Sequence, residues 1–213
     1  MNKHWRVAIP WILTSSVSVL AVYAWGQSLA WNLKAVNTYL LFPLLGLLAY
    51  SIMWSHYMIG SVKHTAFMQQ TELTNYFRYT GYAVLVAIVL HPGLLVYQLF
   101  QDGRGLPPSS YEHYVAPGLA WVTLLGTASL LAFLAFELHR WYGRTSWWKY
   151  VITAGDIAMV AIFYHSLRLG TQLQGGWFRW VWWFYGLSLA VVLVRKYMWL
   201  LLHKSGIGQT TDW

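Results

Sequence analysis

Six stretches of about twenty residues run almost without charge through this chain, at roughly 8–25, 37–59, 79–99, 115–137, 149–168 and 180–202. Each is long enough to cross the hydrocarbon of a bilayer as a helix, at about 1.5 Å per residue. No other constraint limits the fold so strongly, because in lipid every backbone polar group must be satisfied within its own segment. The expectation is an all-α membrane protein of six transmembrane helices, one domain over 1–213. With 58% hydrophobic and only 9% charged residues, the chain cannot cover a water-facing surface.

Charge sets the orientation. Lys3 and Arg6, Lys63 and Arg78, Arg140, Arg144 and Lys149, and Arg195, Lys196 and Lys204 fall on one side of the expected topology. Lys34, Arg104, Arg168 and Arg179 fall on the other, with Asp102 and Glu112. The positive-inside rule then makes both termini cytoplasmic. The basic start (Lys3, His4, Arg6) has the look of a leader, but no small-residue cleavage pattern follows over 22–27, so this segment is read as the first span. The net charge of +8 is accounted for by topology, and nucleic acid is not an expected partner. The expected location is the cell membrane, as a multi-pass protein of a prokaryotic inner membrane. Many of the fifteen tryptophans, such as Trp25, Trp31, Trp147, Trp148, Trp177 and Trp180, fall at span ends, as in an aromatic belt.

Two histidines stand inside spans that run in the same direction. His91 is thirteen residues past Arg78 and His165 sixteen past Lys149, which places them about 20 and 24 Å up their helices. An unpartnered imidazole at that depth costs roughly 2 kcal/mol or more. A depth-matched pair in the outer half of the membrane suits the two axial ligands of a haem. The chain has no cysteine, so covalent haem attachment and iron–sulfur clusters are excluded and the haem is b-type. Val84, Ala87, Leu95 and Gln98 share the His91 face, and Ala158 and Ile162 the His165 face, with Val151 lower down. Gln98, Arg104 and Arg168 stand near the outer rim, where propionates need donors. Pro92 directly follows His91 and is expected to kink that helix. The connection 101–117, with Asp-Gly-Arg-Gly and Pro-Pro-Ser-Ser, reads as an ordered cap. No internal repeat is apparent.

These residues carry a resemblance. Leu90-His91-Pro92-Gly93, Gln98-Leu99, Asp102-Gly103-Arg104-Gly105-Leu106-Pro107-Pro108 and Phe163-Tyr164-His165-Ser166-Leu167-Arg168-Leu169-Gly170 resemble the ferric reductase-like transmembrane domain over about 40–200. That superfamily includes the membrane halves of NADPH oxidases, the six-transmembrane metalloreductases and the haem-binding membrane subunit of the periplasmic methionine sulfoxide reductase system. The resemblance implies haem held between the third and fifth spans, often as two stacked haems. The inner ligand positions would be Phe77 or Arg78 and Val151 or Ile152, none of which ligates haem in the ordinary way. It therefore implies one outer haem. Apart from the resemblance, His56 and His139, at the inner ends of spans two and four, are the alternative ligands of a second haem, in the manner of four-helix dihaem cytochromes.

Asp156 stands nine residues before His165, on the opposite face and about 13 Å lower. A partner is expected among His56, Arg78 and Tyr79. These residues suggest a quinone or flavin pocket between spans two, three and five, with His56 and Asp156 as polar contacts, Arg78 at its mouth and Trp54 or Tyr79 as stacking surfaces. Without a Gly-rich dinucleotide fingerprint the chain cannot draw hydride from NAD(P)H by itself. The expected activity is that of an oxidoreductase component, a membrane cytochrome b. It would pass electrons from a quinol or a separate flavoprotein to an acceptor or redox partner on the outer side. The competing class is a proton-coupled transporter or channel using Asp156 and His56, although the spans lack the paired Gly/Pro breaks of transport repeats. A retinal protein is excluded, since no lysine lies mid-membrane.

Overall fold

The computed structural model describes residues 3–63, 70–142 and 147–203. His64 lies outside the described residues, as do the side chains of His4, Lys63, Glu72, Glu137, His139, Arg140 and His203. Six helices follow in order: α1 Lys3–Ser28, α2 Thr38–Lys63, α3 Gln70–Gln101, α4 Ala120–Tyr142, α5 Trp148–Leu169 and α6 Trp177–His203. No strand occurs among the described residues. Five segments are long and apolar enough to cross a membrane: Val7–Ser28, Thr38–Ser61, Leu73–Gln101, Trp148–Leu169 and Trp177–Leu202. Ala120–Phe136, in α4, is a shorter apolar stretch.

The apolar residues point both ways, as lipid requires. Val19, Val86, Leu131, Ile157, Leu187, Val191 and Leu201 are exposed on the outside of the bundle. Val17, Ala21, Leu47, Tyr50, Met53, Trp54, Met159, Trp182, Tyr185 and Leu189 form the core between α1, α2, α5 and α6. Tryptophan is thus not confined to a belt: Trp54 and Trp182 are buried, and Trp25 is turned inward to donate its indole N–H to the Leu40 carbonyl at 2.6 Å. Small hydroxyls tie helices together where packing alone is weak. Thr14, Ser55 and Tyr76 join α1, α2 and α3 in a buried triangle of bonds of 2.6–3.0 Å.

Two helical hairpins organise the site. α2 packs along α3 and α4 along α5, while α3 and α5 have almost no direct packing. Pro92 lies within α3, which continues unbroken to Gln101. The α3–α4 connection caps the end at which α2 and α4 begin, here termed the upper end. Its chain reverses through Gly103 and Gly105, both at positive φ, with Arg104 N–H on the Leu99 carbonyl. A short 3-10 helix, Ser109–His113, then drives Tyr111 down into a cluster with Phe42, Leu95 and Leu99. The connection turns where its Gly and Pro residues predict.

Candidate functional site: two anchored histidines

His91 and His165 are held by the same device. His91 Nδ1 lies 2.7 Å from the carbonyl oxygen of Phe42, and His165 Nδ1 lies 2.7 Å from that of Val122. A carbonyl can only accept, so each Nδ1 carries the proton and each Nε2 keeps its lone pair. This arrangement fixes the tautomer and the ring orientation, as the outer-shell partner of a metal-bound imidazole does.

Behind each ring stands a glycine four residues past the anchoring carbonyl. A Cβ on Gly46 would meet His91 at 2.7 Å from Cε1, 2.9 Å from Nδ1 and 3.2 Å from Nε2. On Gly126 the corresponding distances to His165 are 2.7, 2.9 and 3.3 Å. Each imidazole thus lies flush against the backbone of the neighbouring helix, in a slot that only glycine leaves open. Phe42-Pro43-Leu44-Leu45-Gly46 with His91 and Val122-Thr123-Leu124-Leu125-Gly126 with His165 are two instances of one motif. The two hairpins therefore repeat each other, a relation not apparent in the sequence. Both anchors lie in the opening turns of α2 and α4, so the rings share the upper end.

Val84, Ala87 and Leu95 on the His91 face are buried, as are Ala158 and Val151 on α5, in agreement with the faces read from periodicity. α3 and α5 have almost no direct packing, so the two imidazoles belong to separate hairpins, His91 to α2–α3 and His165 to α4–α5. Among the described residues no group of three or more His, Cys, Asp or Glu side chains could hold a metal. Two imidazoles make a stable metal site when the metal brings its own equatorial ligands.

The rim residues have distinct placements. Gln98 donates to Asp102 Oδ1 at 2.9 Å, and Tyr39 donates to Asp102 Oδ2 at 2.5 Å, so Gln98 braces the cap. The Tyr39 bond, followed by that from Gln98, holds the Asp102 carboxyl below its usual range. Arg104 and Arg168 are exposed at the upper end, and neither guanidinium makes a hydrogen bond or ion pair among the described residues.

The lower residues differ from expectation. Asp156 is 4% exposed and takes three donors: Tyr57 Oη on Oδ1 at 2.8 Å, and Lys196 Nζ and Tyr197 Oη on Oδ2 at 2.6 and 2.8 Å. Its partners are therefore not His56, Arg78 or Tyr79. Lys196, read from sequence as a boundary charge, reaches it because helix period brings α6 residues 196 and 197 against α5. Arg78 is exposed and bonds Asn75 and Tyr79, 3.1 and 3.3 Å away. Trp54 is stacked on Tyr185 with ring centroids 4.4 Å apart, so that face is already covered. His56 Nε2 lies 2.7 Å from Thr80 Oγ1, which donates its only proton to the Tyr76 carbonyl at 2.6 Å. Nε2 must therefore be the donor, which commits the nitrogen that a ligand would use. His56 turns to α3 while Asp156 faces α2 and α6, so the structure does not gather the expected quinone contacts at one interface. His139, the second inner candidate, lies outside the described side chains.

Sequence reasoning missed Gly46, Gly126 and the two carbonyls. A signal was present, because a glycine inside a Leu-rich helix costs about 1 kcal/mol relative to alanine and marks a close approach. No family model, characterised protein or solved structure matches this chain.

Proposed function

We propose that the chain is a six-span membrane cytochrome b, ferric reductase-like in plan, in which His91 and His165 ligate one non-covalent haem b. The observation that carries this reading is the duplicated anchor: two imidazoles of fixed tautomer, each seated on a glycine and each offering Nε2. Bound haem supplies one-electron redox chemistry. The protein's part is to orient both rings through the Phe42 and Val122 carbonyls and to exclude water with the Tyr111 cap. Arg104 and Arg168, exposed at the same end, are the cations suited to its carboxylates. One haem is favoured over two, since Phe77, Arg78, Val151 and Ile152 occupy the inner positions and His56 has committed Nε2.

In this reading α4 completes the six spans, both termini face the cytoplasm, and electrons pass from a quinol or flavoprotein to an outer acceptor. Proton-coupled transport through Asp156 and His56 fits less well, because the two residues face different interfaces. Purification of wild type, His91→Ala, His165→Ala and the double variant tests the proposal. The wild type should carry a Soret band that each single variant weakens and the double variant lacks. Full retention of haem in the double variant would sink it.

A further inference from the structure

The second half of the α3–α4 connection and the first turn of α4 form an open-sided cleft of about 440 Å³ at the upper end, lined by Glu112, Ala116, Pro117, Gly118, Ala120 and Trp121. That is room for a substituted six-membered ring. Gly118 turns the chain there at positive φ, and a Cβ on it would meet nothing within 4 Å. Trp121 is stacked on Tyr164, with centroids 5.7 Å apart and planes at 27°, yet it stays 53% exposed. The indole therefore has surface left for a further ring. Glu112 is the charged residue of the lining, and its carboxylate makes no hydrogen bond or ion pair among the described residues. An ionised carboxylate only accepts, so the ligand it favours brings O–H or N–H donors. An apolar surface leads to the cleft. Trp121, Leu124 and Leu131 share one exposed face of α4, and Tyr164, Val160 and Ile157 share one of α5. The same aromatic pair is tied to the histidine anchor, since Tyr164 precedes His165 and Trp121 precedes Val122, whose carbonyl accepts the His165 Nδ1–H at 2.7 Å.

We propose that this cleft binds the head ring of a lipid-soluble hydroquinone as the protein's electron donor, stacked on Trp121 with a hydroxyl on Glu112 and its tail along Leu124 and Leu131. The redox step rests on the haem reading and deepens it, by giving the donor a place. Donor and histidine pair then share the upper end, and no second cofactor is needed to cross the lower half. The lower candidates are already engaged: Trp54 stacks on Tyr185, His56 Nε2 donates to Thr80, and Asp156 takes three donors. Each hydroquinone releases its two O–H protons to the upper aqueous phase and its two electrons, one at a time, to the cofactor, and leaves as quinone. The quinone has carbonyl oxygens in place of the hydroxyls, and a carboxylate offers them no donor. Glu112 therefore prefers the reduced ring, by about tenfold for one charge-assisted hydrogen bond.

Anaerobic calorimetric titration of the purified full chain in detergent, with a decyl-tailed benzohydroquinone and separately with its quinone, tests this against empty micelles. Wild type should bind the reduced ring about tenfold more tightly than the oxidised one. Glu112→Gln, whose amide also donates, should abolish that preference. Trp121→Ala should weaken both forms several-fold, while Trp180→Ala, an exposed tryptophan outside the lining, should change neither. Binding no greater than to empty micelles, equal affinity for the two forms in wild type, or a preference that survives in Glu112→Gln each overturns the proposal. So does displacement of the hydroquinone by phosphatidylethanolamine in wild type but not in Glu112→Gln, which would make the cleft a lipid-amine site. Binding needs no haem, so the two readings fail separately. A haem-free preparation that binds with the expected preference keeps the site and defeats the haem reading, whereas a haem-bearing one that does not bind defeats the site. Where Trp121→Ala does not fold, Glu112→Gln decides alone.

Discussion

Alanine at Gly46 or Gly126 is the sharpest perturbation of the site. In each case the new methyl would sit 2.7 Å from the imidazole Cε1 and 2.9 Å from Nδ1, against a carbon–carbon optimum of about 3.5–4.0 Å. The ring must retreat by about 1 Å or the two helices must part. Retreat stretches a 2.7 Å bond to the Phe42 or Val122 carbonyl. Overpacking of this kind costs about 1–3 kcal/mol, offset by up to about 1 kcal/mol of helix propensity gained on replacing glycine. On the haem reading the decisive effect would fall on ligation, because the displaced ring would no longer present Nε2 where the Phe42 or Val122 carbonyl now holds it. Gly60→Ala and Gly155→Ala are the controls, since a Cβ at either meets nothing within 4 Å. Haem content by pyridine haemochrome and spin state by optical and EPR spectra form the assay. Gly46→Ala and Gly126→Ala should lose haem or show a high-spin fraction, while the controls keep wild-type spectra. Wild-type haem and spin state in both site variants would refute the claim that the glycines seat the rings.

Three further outcomes follow from the same geometry. Asp156→Asn leaves Lys196 without its counter-charge and should destabilise by about 3 kcal/mol, at the low end for a buried pair because Lys196 is partly exposed; Lys196→Met in the same chain should restore most of the loss, read by thermal unfolding in detergent. Asp102 is held below the ordinary carboxyl range by Tyr39 and Gln98, so its contribution is complete above the unfolded value near 3.8 and is lost as pH falls through the depressed folded value. Hydrogen exchange of the cap should accelerate only in that acidic range, and Tyr39→Phe should loosen it already at neutral pH. Tyr111→Ala removes the wedge beneath the cap and should cost about 3–5 kcal/mol, whereas Tyr111→Phe should cost under about 1 kcal/mol because its bond to Thr127 is a long 3.3 Å.

The helices were legible because apolar length is a one-dimensional signal: α2, α5 and α6 fall within a few residues of their expected bounds, whereas α3 begins at Gln70, well before the expected start at 79, because its polar first turns carry no apolar signal. The histidine faces were legible for a similar reason, since seven residues bring Val84, His91 and Gln98 to one stripe. What periodicity cannot give is which neighbour a face meets. Height along the helix points Asp156 to His56, Arg78 or Tyr79, but its partners are Tyr57 of α2 and Lys196 and Tyr197 of α6, because no pattern fixes how those helices are rotated. Gln98 was read as a donor to a ligand, but a carboxylate four residues on, already drawn in by Tyr39, claims its amide. Gly46 and Gly126 were passed over because a glycine signals a close approach without naming what approaches.

Haem stoichiometry and ligation in the purified wild type test the central claim most directly. Pyridine haemochrome assay per polypeptide, with a low-temperature EPR spectrum of the oxidised protein, should give one haem b and a low-spin bis-histidine signal. No haem, a high-spin centre, or two haems per chain would contradict an account built on His91 and His165 as the one ligating pair.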